Sequence, residues 1–322
     1  MGQKVFITGA SSGLGLAMAQ QFAQNGATLA LIGRRADALE QVRAGLVGTH
    51  EVYALDVCDE TALHAAARDF MSKHGVPDVV VAAAGISVGT LSEHFEDLEQ
   101  IRRVIQTNVF ALTSTFHPFI SPMKAAGKGT LVGIASVAAI RGLPGAGAYC
   151  ASKAAVVQYC ESLRVELYGS GVKVSTILPG YIDTPMTREN PYTMPFLMQA
   201  SDFASRAVSA IDKQKSYTVI PWQMGVVAKL LRILPNALYD KIFSGRGRRP
   251  RVGACCFTSL HQQPQNHLKR TTGRSWAVLR TFSHTNSVNI MPEQNALSLA
   301  SQILNGFNRH YTRFRECARA AK

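Results

Sequence analysis

The short apolar, β-prone run Lys4-Val5-Phe6-Ile7 leads without a break into Thr8-Gly9-Ala10-Ser11-Ser12-Gly13-Leu14-Gly15. Leu16, Ala17, Met18, Ala19, Phe22 and Ala23 follow, with apolar residues at helical spacing. Strand, glycine-rich turn and helix in that order is the context a dinucleotide-binding loop needs. Gly9 permits the tight turn, Gly13 lets the backbone approach a pyrophosphate, and Gly15 allows the helix to pack closely on the strand. The helix start then offers unpaired N–H groups and the positive end of its dipole to anions. Gly9, Ser11, Ser12, Gly13, Leu14 and Gly15 are therefore candidates for cofactor binding.

Further strand-like runs lie at residues 28–32, 51–55, 79–83, 130–135 and 173–178. The run at 79–83 is apolar throughout, which suits a parallel strand buried on both faces. Helix-like segments fall between them, near residues 14–25, 36–45, 60–74, 97–124 and 149–169. Strands alternating with helices predict an α/β fold: a Rossmann-like, doubly wound parallel sheet in one domain over residues 1–221. Residues 222–252 read as a basic amphipathic helical segment, and residues 253–322 as an irregular basic tail.

Tyr149 and Lys153 sit four residues apart on the expected helix at 149–169, so one turn brings them to the same face. A cation beside a phenol favours the phenolate. An ordinary Tyr pKa of about 10 is too high for acid–base work near neutrality, and a neighbouring ammonium is the usual correction. Ser136 lies thirteen residues before Tyr149, and its hydroxyl could orient a carbonyl or alcohol at the same spot.

Taken in order, Thr8-Gly9-Ala10-Ser11-Ser12-Gly13-Leu14-Gly15, Leu55-Asp56-Val57, Asn108, Ser136, Tyr149 with Lys153, and Pro179-Gly180 resemble the short-chain dehydrogenase/reductase family. The resemblance covers residues 3 to 220. One departure is visible: Ala82-Ala83-Ala84-Gly85 stands where the family usually has Asn-Asn-Ala-Gly. The lost amides would help hold the sheet. The cofactor is approached there mainly by backbone, from Ala84 and Gly85. The resemblance implies that Tyr149 is the general acid for ketone reduction or the base for alcohol oxidation. It implies that Lys153 lowers the Tyr149 pKa and holds the nicotinamide ribose, that Ser136 bonds the substrate oxygen, and that Asn108 holds a water beside Lys153. It places Pro179, Gly180, Ile182 and Thr184 against the nicotinamide carboxamide, Asp56 beside the adenine and Val57 on its ring. It also implies a homodimer or tetramer, paired through the helices carrying Asn108 and Tyr149. The alternative is a catalytically idle dinucleotide-binding sensor or scaffold on the same fold. The complete set of Asn108, Ser136, Tyr149 and Lys153 argues against it.

The second strand ends in Gly33-Arg34-Arg35, with no carboxylate before Asp37. In this architecture an acidic residue there binds the ribose hydroxyl of NAD, whereas Arg suits the 2′-phosphate of NADP. Arg34 and Arg35 thus favour NADP(H) over NAD(H). Asp56 has a second reading as a helix cap, because Cys58-Asp59-Glu60 follows it.

Residues 185–200 form the expected lid, with Met186, Met194, Phe196, Leu197 and Met198. Met adapts to irregular apolar shapes. With Leu143, Tyr181 and Met186 lining the same pocket, the substrate is expected to be a hydrophobic, lipid-like ketone or alcohol. These side chains could equally pack the lid on the core.

The net charge of +13 is local. Residues 1–221 hold eighteen bases and eighteen acids, so the excess lies wholly beyond them. No aromatic–basic platform accompanies it, which argues against a nucleic-acid partner. Trp222, Met224, Val226, Val227, Leu230 and Leu231 alternate with Lys229 and Arg232, and Arg246-Gly247-Arg248-Arg249-Pro250-Arg251 follows. This fits an interfacial helix on an anionic membrane, or a helix that caps the cleft or forms a subunit contact. Six Cys and nine His show no metal-ligand spacing, so no metal is expected. The first strand starts within three residues of Met1, which leaves no room for a signal peptide and points to the cytoplasm.

Overall fold

The computed structural model describes residues 2–190, 193–245 and 251. The expected tail at 253–322 and the arginines at 246, 248 and 249 lie outside the described residues.

Seven parallel strands form the central sheet: β1 (Lys4–Thr8), β2 (Thr28–Gly33), β3 (His50–Ala54), β4 (Val79–Ala82), β5 (Gly129–Ile134), β6 (Val172–Pro179) and β9 (Tyr217–Ile220), in the order β3-β2-β1-β4-β5-β6-β9. The expected doubly wound sheet is therefore present, with one strand more than the sequence suggested. Tyr217-Thr218-Val219-Ile220 is short and half exposed, so it lacks the all-apolar signature of the buried strands. It joins the sheet by pairing with β6, Thr176 opposite Tyr217. The small pair β7 (Ile182–Asp183) and β8 (Met198–Gln199) brackets the lid, which contains the short helix α7 (Pro185–Arg188).

The strands alternate their side chains between two cores. On one face Val5, Ile7, Leu29 and Leu31 meet Met18 and Phe22 of α1 (Gly13–Gln24) and Phe203, Val208 and Ile211 of α8 (Ala200–Asp212). The helix α2 (Ala36–Ala44) adds Leu39. On the other face Phe6, Ile32, Val80 and Leu131 meet Phe70 of α3 (Glu60–His74), Phe116 and Phe119 of α5 (Ala111–Ala126), and Val156 and Leu163 of α6 (Gly147–Glu166). Phe6 is the hub of this second core, its ring 4.8 Å from Phe119 and 6.1 Å from Phe70. Burying such a ring contributes about 1.5–3 kcal/mol.

The helix expected over 97–124 is interrupted. It runs as α4 (Asp97–Ile105), a π-helical turn (Gln106–Phe110) and then α5. The extra residue in the π turn re-aims the chain at Asn108, which is buried. Beyond the sheet, α9 (Trp222–Ile233) and α10 (Asn236–Phe243) break at Leu234-Pro235, as Pro at that point requires. α9 packs through Met224, Gly225 and Ala228. Its opposite face leaves Trp222 and Ile233 exposed at 63% and 78%.

Candidate active site

β1 and β4 are adjacent in the sheet, but the chain leaves them toward opposite sides, so their C-terminal ends flank a crevice. A cleft of about 890 Å³ opens there. Its lining includes Gly9, Ser11, Ser12, Gly13, Leu14 and Gly15 from the loop, Arg34, Asp56 and Val57 from the ends of β2 and β3, and Ala84 and Gly85 after β4. Ser136, Tyr149, Lys153, Pro179, Gly180, Ile182, Thr184 and Met186 complete it from the other side. Leu143 and Tyr181 lie outside this lining. So does Arg35, whose guanidinium instead donates to the Ser11 backbone oxygen and hydroxyl at 3.3 and 3.4 Å.

The loop is a cradle built for close approach. Gly9 (φ 71°) and Gly13 (φ 58°) take the left-handed backbone that favours glycine. A Cβ on Gly9 would sit 2.9 Å from Ala84, and one on Gly15 would sit 2.3 Å from the Gly9 carbonyl oxygen. The start of α1 carries no side-chain cap at Ser12, so its first N–H groups face the cleft without a competing oxygen. These features fit the pyrophosphate of a nicotinamide dinucleotide. The amides missing from Ala82-Ala83 are replaced locally by Thr8, whose hydroxyl accepts from Ala84 N at 3.3 Å and so joins the ends of β1 and β4.

At the end of the cleft formed by β2 and β3, Asp56 accepts from Cys58 N at 3.0 Å and lies 4.0 Å from the Arg34 guanidinium. The helix cap is Asp59, not Asp56: its carboxylate accepts from Ala62 N at 3.0 Å. Asp56 is thereby left at the cleft wall with Arg34.

Tyr149 and Lys153 occupy successive turns of α6, and the Lys153 Nζ lies 5.8 Å from the Tyr149 ring centroid. Lys153 is buried and donates to the Ile134 carbonyl at 2.8 Å. Burial pulls its pKa down to about 8. Negative charge arriving in the cleft would favour the protonated form again. The Asn108 side chain accepts from Ile86 N at 2.8 Å and donates to Ile86 O and to Ser152 Oγ, both at 2.9 Å. Ser152, which sequence reasoning missed, donates in turn to the Tyr149 carbonyl at 2.8 Å. Its position directly before Lys153 was the available signal. Gly85 separates Asn108 from Lys153: a Cβ there would lie 3.1 Å from Asn108 Oδ1 and 3.5 Å from Lys153 Nζ. Ser136 lies two residues beyond β5 and caps the 3-10 turn Val137–Ala139, its Oγ accepting from Ala138 N at 3.2 Å.

The loop after β4 is tied down at both ends. Thr90 N donates to Gly145 O at 3.0 Å. Asp97 accepts from Leu91 N at 2.7 Å and pairs with Arg251 at 2.8 Å. Arg251 is thus committed to a buried carboxylate and withdrawn from the basic cluster proposed for a lipid surface. Among the described residues, no group of three or more His, Cys, Asp or Glu could hold a metal ion, and no helix is long and apolar enough to cross a membrane.

Comparison with known proteins agrees with this arrangement. The family model for short chain dehydrogenases matches residues 3–194. An uncharacterized oxidoreductase of Myxococcus xanthus is 37% identical over 239 residues, covering 73% of this chain and 93% of its own. An alcohol dehydrogenase from Thermococcus sibiricus, complexed with 5-hydroxy-NADP, superposes with a TM-score of 0.62 at 25% identity, covering 68% of this chain and 96% of that one. A 3-ketoacyl-(acyl-carrier-protein) reductase from Brucella melitensis, complexed with NADH, gives 0.62 at 26% identity with the same coverage.

Proposed function

This chain belongs to the short chain dehydrogenase family of oxidoreductases, and we propose that it interconverts an apolar ketone and a secondary alcohol with NADP(H). The observation that carries the reading is the buried Lys153 ammonium beside the Tyr149 ring, at the wall of a glycine-lined cleft. The bound nicotinamide supplies or accepts the hydride. Ser136 holds the substrate oxygen and steadies the charge that develops on it. Tyr149 gives that oxygen its proton in reduction and removes it in oxidation. Lys153 favours the phenolate through its charge and holds the ribose. Asn108 and Ser152 fix the turn of α6 that carries Tyr149. Gly85, having no side chain, crowds neither Asn108 nor Lys153.

Arg34 supports NADP over NAD: it stands at the end of β2, and no carboxylate competes with a 2′-phosphate there except its own partner Asp56. The relatives are divided on this point, since one solved neighbour carries an NADP derivative and another NADH. Fluorescence titration separates the cases. NADPH should bind more tightly than NADH, and Arg34→Ala should weaken NADPH alone, by about tenfold for the loss of one charge-assisted contact. Equal weakening of both cofactors would remove Arg34 from this role. A carbonyl panel with NADPH then tests the activity. Binding without oxidation of NADPH across the panel would favour the idle sensor.

The exposed stripe of α9, Trp222, Val226, Leu230 and Ile233, lies beside exposed Lys229 and Arg232. This supports contact with an anionic bilayer, a suitable source of an apolar substrate. Cosedimentation with phosphatidylserine vesicles at low salt should carry the protein down, and Trp222→Ser should reduce the bound share severalfold. Retention of the wild type in the supernatant would end that reading.

A further inference from the structure

Between Ser136 and α6 the chain crosses a ten-residue loop, 137–146, that is held from outside the sheet. Arg141, in its middle, reaches the junction of α9 and α10. One terminal nitrogen donates to the carbonyls of Leu231 and Leu234, the latter at 2.7 Å, and the other donates to Asn236 Oδ1 at 3.1 Å. The last carbonyls of a helix lack partners within it and form the negative end of its dipole, so a guanidinium there is doubly suited. The same guanidinium lies 3.8 Å from the centroid of the buried Tyr239 ring. Tyr239 answers by donating its hydroxyl to Gly142 O at 2.5 Å. Loop and helices are therefore joined in both directions, by the side chain of one to the backbone of the other.

We propose that Arg141 is a positioning residue for the reaction: it clamps the 137–146 loop to α9 and α10 and thereby sets Ser136 relative to Tyr149. Neither helix lines the cleft, so their part is to buttress the loop from behind. This rests on the oxidoreductase reading above for its effect on turnover, but the clamp itself does not. A lysine cannot replace the arginine. It lacks the planar fork that reaches two acceptors at once while stacking on an aromatic face. Loss of the clamp leaves the glycine loop and Arg34 untouched, so cofactor affinity is spared. What is lost is the alignment of two groups on the substrate oxygen, which is sensitive to shifts of about an ångström.

The test uses Arg141→Ala, Arg141→Lys and Tyr239→Phe in the full chain, with 1-phenyl-1,2-propanedione as an apolar dicarbonyl probe. Amide hydrogen exchange over 137–146 should rise by about tenfold or more in Arg141→Ala, with the strands of the sheet unchanged. The kcat/KM for the probe should fall by about 30- to 100-fold, with the NADPH Kd held within about twofold. Millimolar guanidinium should restore part of the activity of Arg141→Ala and none in Arg141→Lys, where the ammonium obstructs the site. Tyr239→Phe keeps the stack and removes only the bond to Gly142, so a smaller change in the same direction is expected; it also decides the matter if Arg141→Ala fails to fold. Unchanged exchange in the loop, or kcat/KM within about twofold of wild type, would overturn the proposal. A wild type that reduces none of the carbonyls tried would instead count against the oxidoreductase reading, and the exchange measurement would still decide whether the clamp exists.

Discussion

Tyr149→Phe should lower kcat by about 100- to 10,000-fold, the range that a positioned general acid–base group contributes. The substitution removes one oxygen and keeps the ring. The packing of α6, the cleft wall and the approach of Lys153 to the aromatic face all remain, so the NADPH Kd should stay within about threefold of wild type. The pairing of these two results is the diagnostic. A drop in turnover with intact cofactor binding means that a proton, not a binding surface, was lost. Parallel loss of both would point to a damaged fold. A Phe variant within about tenfold of wild-type kcat would remove Tyr149 from acid–base chemistry and place the proton donor on another group of the cleft. Steady-state kinetics on the most active compound of the carbonyl panel, together with fluorescence titration, supplies both numbers.

Gly15→Ala should destabilise the protein, against what helix propensity alone predicts. Gly15 lies inside α1, where Ala is normally the better residue by about 1 kcal/mol. Here the added Cβ would fall 2.3 Å from the carbonyl oxygen and 2.7 Å from the carbonyl carbon of Gly9. Both are backbone, and neither can rotate away. α1 must move off the loop, which opens the packing of Met18 and Phe22 against β1 and β2. Overpacking of this kind costs about 1–3 kcal/mol or more. At about 2–4 °C per kcal/mol for a domain of this size, the thermal midpoint should fall by about 5 °C or more. The shifted helix start also withdraws its N–H groups from the phosphates, so NADPH affinity should fall by about tenfold or more. A midpoint that rises, as propensity would have it, would show that α1 and the Gly9 carbonyl are not in close contact.

Much of the architecture was legible because it depends on local rules. The helix over residues 60–74 was read to the residue, since Asp59 caps its start and Gly75 (φ 78°) ends it. The strands at 28–32 and 79–83 were displaced by no more than one residue at an end, because an all-apolar run with turn residues on both sides has few alternatives. Gly9, Gly13 and Gly15 declared the cleft for the same reason: only glycine satisfies both the left-handed turns and the close contacts. Other parts were not local. Nothing in Gln106-Thr107-Asn108-Val109-Phe110 marks a π turn; that turn is fitted to Ile86, twenty-two residues away, which takes both ends of the Asn108 amide. β9 became a strand only because the exposed edge of β6 was there to pair with it. Leu143 and Tyr181 read as pocket residues from their apolar character and their nearness to lid and loop in the chain, and neither is among the residues that line the cleft.

The sequence by itself determined the kind of chemistry and the family in which it is carried out, because a four-residue spacing on a helix and a glycine pattern after a strand constrain side chains and backbone within one turn. Only the tertiary structure decided which groups touch. Ser152 joins Asn108 to the backbone of Tyr149, Thr8 stands in for the missing amides after β4, and Arg141 spans some ninety residues of chain to the end of α9. Such contacts join segments that are distant in the chain, and their partners are chosen by how the whole sheet and its helices pack. No local period records that choice, so it is written only in the folded molecule.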